Sequence, residues 1–142
     1  MKSEILKLGA EVLKYLFVIV SIWLLLRGHN YPGGGFIAGL IAGSALIFKP
    51  LAFEIESMRE GSKNQGFIFL ALGLGLVLIS AVSGLLIHNS VLEGIWLKIP
   101  LFFSEKPFKL GTPLIFDVGV YFTVIGFLFL IVISMMEEWK WK

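Results

Sequence analysis

Residues Gly66–Ile87 read GFIFLALGLGLVLISAVSGLLI, 22 positions without a charged side chain. About 20 residues of α-helix, each rising 1.5 Å, cover the hydrocarbon core of a bilayer. This run therefore predicts a membrane-spanning helix, ended by His88-Asn89. Its polar side chains are confined to Ser80 and Ser83, hydroxyls that can bond back to their own helix.

Three further apolar segments lie around it. The first covers residues 5–26, with Lys14 one turn inside its start and Arg27 at its far boundary. A lysine so placed keeps its stem in lipid and carries its ammonium to the headgroups. The second covers residues 33–48, begins after Pro32, and is expected to close at Lys49-Pro50. Proline suits a helix start because its missing N–H has no partner there in any case. The fourth covers residues 114–135 and contains Asp117. Leu51–Gln65, with Glu54, Glu56, Arg59, Glu60 and Lys63, reads as a solvated or interfacial loop. Ser90–Pro113, carrying Trp96, Phe102, Phe103 and three prolines, reads as an ordered loop on the membrane surface. The tail, Glu137 to Lys142, reads as an interfacial anchor. The fold class is thus all-α: a polytopic membrane protein, a bundle of four transmembrane helices forming one domain over residues 1–142.

Composition agrees. The chain is 57% hydrophobic and 15% charged, against about 45–50% and about 25% in soluble domains. It contains no cysteine, which excludes disulfides and thiolate metal sites. A net charge of +2 without a basic patch gives no indication of a nucleic-acid partner. Met1–Leu13 lacks the apolar core and cleavage site of a secretory signal, so the first segment is read as retained. With four crossings, Lys2, Lys7, Lys14, Lys49, Arg59, Lys63, Lys140 and Lys142 share one side, eight in all, and Arg27, Lys98, Lys106 and Lys109 the other, four in all. The positive-inside rule then puts both termini in the cytoplasm.

Candidate functional residues fall into two groups. Gly33, Gly34, Gly35, Gly39 and Gly43 leave one side of the second helix nearly bare, and small residues let membrane helices approach closely. That face either packs the chain's own helices or docks a helix of another chain; Gly35, Gly39 and Gly43 are taken here to dock a partner. The turn Gly28–Phe36 starts a helix and admits a neighbour, and it lacks the lysine and hydroxyl of a phosphate-binding loop. The second group is ionisable. His29 and His88 lie at the outer ends of spans, where they either relay protons or bond to backbone. Asp117 is an acid inside a span, a functional candidate by default, although the helix dipole also accommodates a carboxylate near an N-terminus. No nucleophile–base pair, metal-ligand cluster or cofactor motif can be assembled, so neither enzyme chemistry nor a cofactor is expected.

The string Arg27-Gly28-His29-Asn30-Tyr31-Pro32-Gly33-Gly34-Gly35-Phe36-Ile37-Ala38-Gly39-Leu40 resembles the signature of the MnhB-type (MrpB-type) component of multisubunit Mrp-type sodium/proton antiporters. Gly111-Thr112-Pro113-Leu114-Ile115-Phe116-Asp117-Val118-Gly119-Val120-Tyr121 is similar to the opening of that family's last helix. Ala38 stands where the family often has glycine. The resemblance covers essentially the whole chain. It implies a small component in the cell membrane of a bacterium or archaeon, working beside larger subunits related to those of respiratory complex I. Its partners would be those membrane subunits, sodium ions, protons and the lipid bilayer. The host would be an antiporter or, alternatively, a ferredoxin-driven membrane-bound hydrogenase or sulfane-sulfur reductase that carries the same module. A purely structural assembly role is the third reading.

Overall fold

The computed structural model describes residues 4–28, 34–52, 59–88, 95–99 and 108–138. Four helices account for nearly all of them: α1 Glu4–Arg27, α2 Gly35–Ala52, α3 Arg59–His88 and α4 Thr112–Glu138. Between α3 and α4 stand two short strands, β1 Trp96–Ile99 and β2 Phe108–Gly111. Within α1, α3 and α4, the segments Leu8–Arg27, Lys63–Leu86 and Thr112–Met136 are each long and apolar enough to cross a bilayer.

In α2 the purely apolar part is shorter, Gly35–Leu46. The helix nonetheless has 18 residues, about 27 Å at 1.5 Å per residue. It also runs parallel to α4. A side chain at Gly35 would meet Asp117, one at Gly39 would meet Tyr121 and Val124, and one at Gly43 would meet Leu128. Helix α2 thus passes through the same layer as α4, and the chain direction alternates from helix to helix.

The four helices stand in a row. Helix α1 packs along α2, α2 along α4, and α4 along α3, while α1 reaches α4 at only a few points. The reason lies in α4. Its residues facing α2 (Asp117, Tyr121, Val124, Leu128) and those facing α3 (Gly119, Thr123, Gly126, Leu130) are about half a turn apart at 3.6 residues per turn. A helix with close-packing surfaces on opposite sides takes the middle of a row.

The α3–α4 seam is built at seven-residue steps. At one level Gly66 meets Gly126, and at the next Gly73 meets Gly119. At the third, Ser80 Oγ donates to the carbonyl oxygen of Thr112 at 2.7 Å. A methyl group on Gly126 would lie 2.8 Å from the Gly66 carbonyl oxygen, and one on Gly73 would lie 2.7 Å from that of Gly119. Two backbones touching in this way is the geometry that small residues permit in lipid. Phe69 and Phe122 stack across the same seam, ring centroids 5.9 Å apart and nearly coplanar.

The buried interior is small: Ala38, Ala42 and Ala45 of α2, Ile125, Phe129 and Ile133 of α4, and Leu25 and Ser21 of α1. Large apolar side chains elsewhere face outward, among them Ile19 and Trp23 of α1 and Leu78, Ile79 and Leu86 of α3. Such a surface is at home in hydrocarbon.

Two segments read as loops are partly regular. Leu51 and Ala52 still belong to α2, and residues 59–65 already belong to α3. Arg, Glu, Lys and Gln are good helix formers in water, so the helix outlasts the membrane there. Residues 96–99 and 108–111 form an antiparallel pair within the expected surface loop, in the register Trp96↔Gly111 to Ile99↔Phe108. Residues 53–58, 89–94, 100–107 and the tail from 139 lie outside the described residues.

Candidate functional site: the seam around Asp117

Asp117 sits in the second turn of α4, half-buried, at the end of the row where α2 begins. Gly34, just before α2, has φ +93°, in the left-handed region that only glycine enters without cost. A side chain at Gly34 would come 3.5 Å from Asp117 Oδ1. At Gly35, one helical residue on, an added methyl would overlap the backbone carbonyl of Asp117. The carboxylate therefore lies against the first turn of α2. Ala38 N–H donates to the Gly34 carbonyl at 3.1 Å, the first bond of that helix. The N–H groups of Gly35, Phe36 and Ile37 precede it and have no carbonyl partner within the helix. They form the positive end of the α2 dipole, where negative charge is best accommodated.

One turn deeper on the same side of α4 is Tyr121. Its hydroxyl is 3.2 Å from Ser21 Oγ of α1, and Ser21 is fully buried. Ser21 directs its own proton to the Val18 carbonyl at 2.8 Å, so the tyrosine is the donor to Ser21. Hydroxyls in lipid must find partners inside the protein. Ser44 donates to Leu40 O at 2.8 Å, Ser83 to Ser80 O at 2.7 Å, and Thr123 to Gly119 O at 2.8 Å, each within its own helix. Arg27, at the same end as Asp117, holds its guanidinium 4.9 Å from the Trp23 ring centroid, a cation–π contact.

The candidate residues are distributed as follows. Gly34, Gly35, Gly39 and Gly43 are all buried, and α4 of the same chain covers them. The expectation that Gly35, Gly39 and Gly43 receive a partner's helix is thus answered by an internal one. Close approach was legible in their spacing, but the identity of the approaching helix was not. His29 and Gly33 lie outside the described residues, and His88 closes α3 at the Asp117 end of the row. No group of three or more His, Cys, Asp or Glu residues suited to a metal ion occurs among the described residues.

Sequence reasoning passed over Thr112 and the Ser21–Tyr121 pair. The signal for the first was available: Gly66, Gly73 and Ser80 are spaced by seven, as are Thr112, Gly119 and Gly126. The second joins residues a hundred positions apart, beyond any local pattern.

Comparison with known proteins gives a consistent result. A family profile described as a domain related to the MnhB subunit of Na+/H+ antiporter matches residues 5–130. The MnhB-type component of the Na+/H+ antiporter of Alkalihalophilus pseudofirmus is 32% identical over 130 residues, covering 90% of this chain and 88% of the relative. The protein of the same name from Bacillus subtilis is 32% identical over 138 residues, covering 94% and 93%. Among solved structures, the Mrp complex of a Dietzia species contains a chain matching 92% of this one, with a TM-score of 0.74 and 31% identity. This chain spans 13% of the length of that one.

Proposed function

The chain belongs to the MnhB family of Na+/H+ antiporter components, and from that premise we propose that it is a non-catalytic subunit whose α2–α4 seam contributes Asp117 to the movement of sodium ions or protons. It is a multi-pass protein of the cell membrane, and its partners are the other membrane subunits of an Mrp-type complex. The observation that carries the reading is the placement of one carboxylate, in a membrane-spanning helix, against the start of α2. An intramembrane acid is costly to keep and is retained where it serves transport or pairing. The remaining described hydroxyls inside the row are bonded to their own or adjacent helices. A row with one such acid supplies part of an ion path, and larger neighbours supply the rest. The lysine and arginine distribution orients the chain with both termini in the cytoplasm and the β1–β2 pair outside.

Expression of the remaining antiporter subunits with and without this chain tests the assignment. Sodium-dependent proton movement in inside-out vesicles is expected to disappear when the chain is omitted and to return when it is supplied in trans. Antiport at the full rate without it would remove the chain from the transporter.

A further inference from the structure

Thr112 joins three elements. Its N–H donates to the carbonyl of Ile95 at 3.1 Å. Its Oγ1 accepts the N–H of Ile95, also at 3.1 Å. Its own carbonyl oxygen accepts the hydroxyl of Ser80 at 2.7 Å. Ile95 directly precedes β1, and the Trp96↔Gly111 pair is the adjacent rung of the ladder. The reciprocal Ile95–Thr112 bonds thus extend the β1–β2 pairing by one residue into the first residue of α4. Ser80, only 5% exposed, anchors the same residue to α3.

We propose that Thr112 is a positioning residue: it fixes the height and rotation of the first turns of α4, and with them the place of the Asp117 carboxylate. The linkage is short and stiff. Pro113 follows Thr112, and its ring locks φ and removes the N–H, so the junction has little freedom to hinge. From there α4 is unbroken through Asp117, whose backbone carbonyl is pressed on Gly35. Freedom at Thr112 would therefore appear as displacement of α4 against α2. The same linkage joins the β1–β2 pair to the acid, so a partner bearing on that pair would act on Asp117 through Thr112. In metal sites, loss of a group that orients a ligand costs on the order of tenfold or more in affinity or activity.

The proposal rests on Asp117 being an ion-handling residue, and its test separates the two claims. The complete antiporter is prepared in vesicles with T112V, T112S, S80A or D117N, each checked for assembly by co-purification, and proton movement is followed as sodium chloride is titrated. T112V keeps the branched shape but removes the oxygen that Ile95 uses. It is expected to raise the half-saturating sodium concentration roughly tenfold, while T112S stays within about twofold of the wild type. S80A, which removes only the donor to the Thr112 carbonyl, is expected to shift it in the same direction. S80A decides the matter if T112V does not assemble. An unchanged half-saturating concentration, or a loss confined to the maximal rate, would overturn the positioning role. Should that occur while D117N is inactive, Thr112 alone is wrong. Normal transport by D117N would overturn the Asp117 reading and the proposal together.

Discussion

An alanine at Gly119 would bring a methyl carbon 2.8 Å from the Val77 nitrogen and 2.9 Å from the Gly73 carbonyl oxygen. Carbon–oxygen contacts settle at about 3.3–3.6 Å. Both neighbours are backbone atoms of a helix, unable to swing aside, so α3 and α4 would have to part by about half an ångström at this crossing. A gap of that size forfeits about a quarter or more of the dispersion energy of each atom pair it opens. The seam continues seven residues away at Gly66–Gly126, and a rigid helix cannot open at one level without loosening the next. Overpacking of this kind costs about 1–3 kcal/mol, offset by up to about 1 kcal/mol from alanine's better helix propensity. The net expectation is a loss of about 1–2 kcal/mol. Gly75, in the same seam's α3, provides the control, because nothing lies within 4 Å of a methyl group placed there. Gly75→Ala is expected to leave stability unchanged or raise it by a few tenths of a kcal/mol. Unfolding of the detergent-solubilised chain in rising dodecyl sulfate, followed by circular dichroism, compares the two. Equal midpoints for Gly119→Ala and Gly75→Ala would refute the close α3–α4 seam.

Other expectations follow from the opposite side of α4. Tyr121→Phe and Ser21→Ala, alone and combined, should give a coupling energy of about 0.6 kcal/mol in the same unfolding assay, the usual scale for interhelical hydrogen bonds in membranes. Strict additivity would show that the Tyr121–Ser21 bond does not form. Gly34→Ala should cost about 1–2 kcal/mol through its positive φ alone, since Asp117 Oδ1 stays at an ordinary contact distance. Gly34→Asn, better suited to that backbone region, should cost less. Equal losses from the two would point to a steric cause.

Much of this architecture is written in single residues, and some of it is not. The long spans are legible because exposed charge in hydrocarbon is so costly that Gly66–Ile87 carries none. Helix ends are less legible, because hydropathy marks the membrane boundary while the backbone continues past it. Pro50 does not stop α2, which runs on to Ala52; a proline near a helix end costs one hydrogen bond and leaves few others to disturb. The β1–β2 pair is hidden for a different reason. Four-residue strands joined across residues 100–107 have no periodic signature, and their register is pinned by Ile95 and Thr112, a tertiary contact. Glycine spacing in α2 announced close approach but carried no address for the helix that approaches. Asp117 was visible as an acid in a span, whereas its seat against Gly34 depends on the parallel alignment of α2 and α4.

The seat of Asp117 is the central claim, and Asp117→Asn examines it with little change of shape. The measurement is sodium-dependent proton movement in inside-out vesicles, at equal amounts of assembled complex. Normal assembly is expected, with transport slowed on the order of tenfold or more. Wild-type transport by a normally assembled Asp117→Asn complex would contradict the claim and leave the carboxylate as a residue that merely closes the start of α2.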